Sequence, residues 1–223
     1  MNRNVAAIAV AVFALGLTVT APAAADVAAR TPIRTYAAQI SVYTKGVGSQ
    51  QGWFTSQAYT EGVVLAPHVA LTEKTVFDYG WNDHHRSTQL YYIVGTRSYT
   101  KNGNGPWSVQ RLSSSALRGA AQSLNPYQTQ KEFLALPGVM RASGTRYQVT
   151  GNYAQVGSFL LWAFSLPQVS FGGTNLKVFT ISFWDGSHGR PAKIAVSARS
   201  ATFAFTATET FTSYNKPLTI TAP

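Results

Sequence analysis

The chain has 223 residues, no cysteine, a formal net charge of +10 and a hydrophobic share of 45%. That length and apolar content fit one domain with one sizeable core. The lack of cysteine excludes disulfide staples and lipid attachment through a cysteine of this chain. Charged residues make up only 12%, about half the usual ~25%, and the basic ones are scattered rather than in runs. This excludes nucleic acid as the expected partner and favours transient contact with anionic membrane surfaces or envelope polymers.

Arg3 supplies a positive leading region, Val5 to Val19 an apolar one, and Ala23-Ala24-Ala25 a small-x-small cleavage site. Residues 1–25 are therefore expected to be a signal peptide cleaved after Ala25, giving a secreted, extracytoplasmic protein. The apolar run is short of the ~20 residues that a membrane span needs. Residues 26–35 read as a flexible leader, and 36–223 as a single domain.

Tyr36 to Val47 alternates through Ala38, Ile40 and Val42, the pleat period of a strand. Trp53 and Phe54 lead into Tyr59 to Phe77, which Pro67 interrupts. Two short strands, or an edge strand with a break, account for that run. Asp78 to Arg86 reads as a turn. Tyr91, Ile93 and Val94 begin a strand that Gly95 interrupts and Tyr99 continues. Lys101-Asn102-Gly103-Asn104-Gly105-Pro106 is a strong turn signal, with Trp107, Val109 and Leu112 beyond it.

Ser113 or Ser114 caps a helix whose stripe is Leu117, Ala120, Ala121 and Leu124. Asn125-Pro126 ends it, and Tyr127 to Leu136 forms a second helix before Pro137-Gly138. Strand pattern resumes from Tyr147 to Val156. The wholly apolar run Phe159 to Phe164 fits a helix or a strand equally. Leu176 to Trp184, Ala192 to Arg199 and Thr202 to Phe211 then form an antiparallel meander. One of its faces carries Phe179, Ile181, Phe183, Ile194, Val196, Phe203, Phe205 and Phe211. Glu209 interrupts that face and is expected at the solvent end of its strand, with pairing to an arginine at a cavity mouth as the alternative. Strand-rich blocks on both sides of a helical segment make this an α+β chain, mostly antiparallel β.

Several fragments resemble the LppX/LprG type of bacterial lipid-binding lipoproteins, which share the LolA/LolB-like fold. They are Gly103-Asn104-Gly105-Pro106-Trp107, the helical pair after Ser113, and Tyr147-Gln148-Val149-Thr150-Gly151. Phe183-Trp184-Asp185-Gly186, Gly189-Arg190-Pro191 and the terminal Phe211, Tyr214, Asn215, Pro217 and Ile220 complete the set. The resemblance implies a curved half-barrel sheet with helices over its concave face and an apolar cavity for acyl chains. The family's lipid-bearing cysteine is absent here, so tethering by lipidation does not carry over.

A curved sheet covered by two modest helices has more inward positions than the helices cover, and a cavity arises from that mismatch. Its expected lining is Leu117, Ala121, Leu124, Phe133, Leu160, Leu161 and Phe164, with Ile181 and Phe183 beneath. Asp78, Asp83, His84 and His85 invite a metal reading, but neighbouring histidines on an extended chain point to opposite faces. Asp185, Ser187 and His188 have the residue types of a nucleophilic triad yet crowd one turn, whereas a triad converges from separate elements. No cofactor is called for.

The expected function is a non-enzymatic carrier of a hydrophobic small molecule or lipid in the cell envelope. A secreted interaction module with a packed interior is the alternative, and a secreted hydrolase has the least support. Amino-terminal sequencing of the exported protein is expected to begin at Asp26; an intact Met1 in membranes would contradict the signal-peptide reading.

Overall fold

The computed structural model describes residues 32–46, 53–65, 68–80, 84–164 and 176–223. The expected signal peptide, residues 26–31, Pro67, Trp81 to Asp83 and Pro167 lie outside them. The alternating segments become β1 (Thr35–Gly46), β2 (Trp53–Leu65), β3 (His68–Gly80), β4 (His84–Val94), β5 (Arg97–Asn102) and β6 (Ser108–Arg111). Two helices follow, α1 (Ser114–Ser123) and α2 (Pro126–Leu134), then β7 (Met140–Ser143), β8 (Arg146–Gly151) and a third helix, α3 (Tyr153–Phe164). The meander β9 (Phe179–Asp185), β10 (Pro191–Arg199) and β11 (Phe203–Thr212) completes the order.

The eleven strands of the described residues lie in one open sheet, ordered β6-β5-β4-β3-β2-β1-β11-β10-β9-β8-β7. Every neighbouring pair is antiparallel. The first six strands form a meander running outward from the centre, and the last five form one running inward from the opposite edge. Helices α1 and α2 carry the chain between the two edges. α1 packs over β3, α2 over β10 and α3 over β8, with α2 touching both other helices. The protein is thus α+β, mostly antiparallel β, with helices on one face of an unclosed sheet.

Four expectations are corrected. The run around Pro67 gives two long strands in the body of the sheet, each 13 residues, rather than short strands or a broken edge. The turn after Asp78 is tighter, because β3 continues to Gly80 and β4 starts at His84. Gly95 does not interrupt a strand but turns a hairpin; its φ of 61° is open to glycine at little cost.

The fourth concerns α3. The strand expected to reach Val156 stops at Gly151, and Asn152 starts a helix that absorbs Phe159 to Phe164. Asn152 Oδ1 accepts from the Gln155 amide at 3.1 Å while Gln155 Oε1 accepts from the Asn152 amide at 2.9 Å. This reciprocal pair is a capping box, a local signal spaced three residues apart. The other caps fall where the sequence puts them. Ser113 Oγ accepts from the Ala116 amide, and Asn125 caps α2 with Pro126 in its first turn.

Part of the expected leader is docked. Ile33 is buried, the Arg34 amide donates to Asn215 Oδ1 at 2.7 Å, and Asn215 Nδ2 donates to the Pro32 carbonyl.

The main core lies between α2, α3 and the strands β8–β11 and β1. Phe133 of α2 is stacked on Phe183 of β9 at 5.2 Å and meets Phe159 of α3 edge-on at 5.6 Å. A smaller cluster, Leu71, Ile93 and Ala120, sits where α1 crosses β3 and β4. Phe133 is 0% exposed, so Phe133→Ala is expected to cost about 3–5 kcal/mol of stability by denaturant titration. A loss below ~1 kcal/mol would mean that this ring stack is not close-packed.

Candidate functional site

The nine cavity residues expected from the sequence fall into separate groups. Phe133, Leu160, Phe164, Ile181 and Phe183 are all in the main core, where their own rings and branches fill the space between helix and sheet. Leu117 and Ala121 flank the smaller cluster, and Leu124 packs against both. Leu161 is 52% exposed, because α3 turns Leu160 and Phe164 inward and its neighbour outward.

The inner face of β1 and β11 continues the main core through Tyr36, Ala38, Val42, Phe205, Ala207 and Phe211, and β2 lies between it and the smaller cluster. Register puts Gly62, Thr60 and Ala58 of β2 opposite Tyr36, Ala38 and Ile40 of β1. Ala38, Ile40 and Val42 in turn oppose Phe211, Glu209 and Ala207 of β11. Most of these side chains are short, and Ala38, Ala58, Thr60 and Ala207 are all buried. The described helices nonetheless lie chiefly over β3, β8 and β10. Gly62 is required by a close approach: a Cβ there would meet the Tyr36 ring at 2.8 Å.

Two carboxylates interrupt this face. Glu73 of β3 lies opposite Thr60, and it accepts from Thr60 Oγ1 at 3.2 Å and from Thr75 Oγ1 at 3.0 Å. Glu209 of β11 lies three strands away. It is only 8% exposed, so the expectation of a solvent-end position is overturned. Its odd-numbered place on β11 puts it on the same face as Ala207 and Phe211, in mid-ladder opposite Ile40 and Ile194.

Among the described residues no group donates a hydrogen bond to Glu209 and no cation pairs with it. The segments outside the described residues contain only Arg3 and Arg30 as basic side chains. Burial, and after it the negative charge of Glu73, push the Glu209 carboxyl up to about 8. The Tyr36 hydroxyl is raised well above its ordinary range by burial and then by Glu209, Glu73 and Tyr214. Tyr214 is raised chiefly by burial and next by Glu209. Sequence reasoning noticed Glu209 as an interruption but could not see that β1 and β10 would enclose it. Glu73 gave no signal at all.

The remaining candidates are placed as follows. His84 and His85 begin β4 opposite Gly80 and Tyr79. No cluster of three metal-ligating side chains occurs among the described residues. Ser187 and His188 are exposed in a tight turn, His188 with φ 59°, while Asp185 accepts from Gln130 Nε2 of α2. A recess of about 190 Å³ beside this turn is lined by Gly186, Ser187, Arg190, Pro191, Ala192, Phe211 and Tyr214. It is smaller than the ~300–1,000 Å³ of a typical ligand site. No protein-family model matches the chain, and no curated protein matches it closely enough to count.

The buried carboxyl carries a pH signature. The native state keeps a proton on Glu209 up to about pH 8, whereas an exposed glutamate releases it near 4.5. The folded form then binds more protons than the unfolded one across that window, so stability falls as pH rises through it. Glu209→Gln removes this dependence. Melting temperatures measured from pH 5 to pH 9 are expected to fall more steeply in the wild type, by up to a few kcal/mol in all at about 1.4 kcal/mol per unit. Parallel curves for the two proteins would show that Glu209 is not buried as described.

Proposed function

We propose that the protein is a non-enzymatic envelope protein that holds a hydrophobic ligand, an acyl lipid or glycolipid, against the inner face of β2, β1 and β11. The observation that carries this reading is the buried row of short side chains at Ala38, Ala58, Thr60 and Ala207, lying between helices centred over β3 and β10. These side chains are 0–8% exposed, so a guest must part the packing over them, and apolar burial drives an acyl chain into such a place at roughly 0.8 kcal/mol per methylene. An open antiparallel sheet with helices on one face fits the LolA-type half-barrel. The fragments similar to the LppX/LprG type support the same ligand class, and the signal-peptide pattern supports an extracytoplasmic location. Ser187 and His188 crowd one exposed turn, which argues against a hydrolase.

The alternative, a packed interaction module with an open edge strand, draws support from the close ring packing beneath α2 and α3. Its weakness is at the edges. β6 and β7 are four residues each, wholly exposed, and carry Arg111 and Arg141. Short, charged edges discourage the addition of another strand.

Ala58→Trp separates the two readings. Over an open space the indole is accommodated, the melting temperature changes little, and uptake of a fluorescent long-chain lipid falls at least tenfold. In a packed interior the same ring overpacks at a cost of ~1–3 kcal/mol. A destabilised variant, or a wild type that takes up no lipid, would favour the interaction module.

A further inference from the structure

The face of the sheet turned away from the helices changes character at β4–β6. From residue 84 to residue 131 the chain carries Arg86, Arg97, Lys101, Arg111, Arg118 and Lys131 and no Asp or Glu. Register places Tyr92 opposite Tyr99 and Tyr99 opposite Val109, so these three cross the strands as one row. Tyr91 and Ile93 face the α1 cluster, and by alternation the row faces outward. Trp107 meets Tyr92 edge-on at 5.6 Å, and Val109 is 54% exposed. Lys101 borders the row at one end, its Nζ 5.8 Å from the centre of the Trp107 ring. Arg97 and Arg111, both exposed, stand directly opposite each other at the other end. Like charges so placed repel, and among the described residues no acid pairs with either. The acids that share this face lie further in, Glu61 across from Thr72 and Asp78 across from Arg86.

We propose that this outer face of β4–β6 docks the protein on an anionic lipid bilayer, with the aromatic row among the head groups and the cations on lipid phosphates. Tyr and Trp settle where one part of the ring meets apolar matter and the other meets water. Clustered Lys and Arg are drawn to anionic head groups, and such a surface relieves the repulsion between Arg97 and Arg111. A soluble polyanion answers the cations but leaves Val109 and the ring faces in water. A second copy seated on the same face about a two-fold axis would set cations against cations. The patch lies on the opposite side of the sheet from α1 and from the ligand face, so it stands or falls apart from the ligand reading.

Flotation of the purified protein with two kinds of vesicle tests this, one of phosphatidylcholine alone and one mixed equally with phosphatidylglycerol. The wild type is expected to bind the mixed vesicles at least tenfold more tightly, and to be released as salt rises. Arg97→Gln, Lys101→Gln and Arg111→Gln in one chain are expected to weaken that binding at least tenfold. A control with Lys177→Gln, Arg199→Gln and Lys216→Gln removes the same net charge from exposed positions elsewhere and is expected to cost less than threefold. Trp107→Ala leaves the charge unchanged; it is expected to weaken vesicle binding while binding to soluble polyphosphate stays as it was. That variant carries the test if the triple variant does not fold, as checked by circular dichroism. Equal losses in the two triple variants, vesicle binding unaffected by Trp107→Ala, or tighter binding to polyphosphate than to vesicles would overturn the docking surface. So would a wild type that does not bind the mixed vesicles. None of these outcomes alters the expected uptake of lipid at the inner face.

Discussion

Pairing of β1 with β11 holds the first and last strands of the domain side by side in the middle of the sheet, from Ala37 opposite Thr212 to Gly46 opposite Phe203. Without that ladder each meander would end in a long exposed edge, and long unpaired edges invite wrong pairing. The same ladder fixes parity. It turns Ala38, Ile40 and Val42 to the side of Phe211, Glu209 and Ala207, and a slip of one residue would send β11's phenylalanines to water. A clasp beyond the strand secures the register. The Asn215 amide donates to the Thr35 carbonyl, Thr35 Oγ1 donates to the Lys216 carbonyl, and Asn215 itself takes φ 57°, which asparagine tolerates better than most residues.

From this centre the inner face divides unequally. On the β8–β10 side, two helices press phenylalanine rings onto β9, and the interior is filled. On the β3–β4 side, α1 contributes Ala120, Leu117 and Ala121, which with Tyr91, Leu112 and Leu124 close a smaller cluster over Leu71 and Ile93. The physical cause is helix composition. α1 is rich in Ser and Ala, whereas α3 carries Phe159, Leu160 and Phe164. The inner face of β1 and β2 mixes short side chains (Ala38, Ala58, Thr60, Gly62) with Tyr36, Ile40 and Val42.

The electrostatic arrangement is equally uneven. In a chain of net charge +10, Lys193 is exposed and Arg146 half-buried, and both lie over the Trp184 ring, at 5.3 and 5.4 Å. The acids Glu73 and Glu209 instead face inward. Outside, such charges interact through water and are screened. Inside, burial and then the charge of Glu73 hold the proton on Glu209, whose carboxyl is pushed up to about 8.

The sequence by itself determined the strands of the meander, the caps at Ser113 and Asn125, and the strongest turns. These are local: a pleat period, a side-chain oxygen near an orphan amide, or a glycine with the freedom that a turn requires. For α3 the local signal was the Asn152–Gln155 box, but the alternation from Tyr147 was read as a strand through Val156, and the apolar run after it fits helix and strand alike. Only the tertiary structure decided which strands lie side by side, and with that the site. Glu209 and Glu73 are 136 positions apart in sequence (209 less 73). They share a face because the β1–β11 ladder joins the two meanders in one register. Likewise, Phe183 could have lined a cavity or filled a core by its strand pattern; the ring of Phe133 stacked on it chose the core. Periodicity tells which side a residue faces, but what stands opposite that side is set by packing between distant segments.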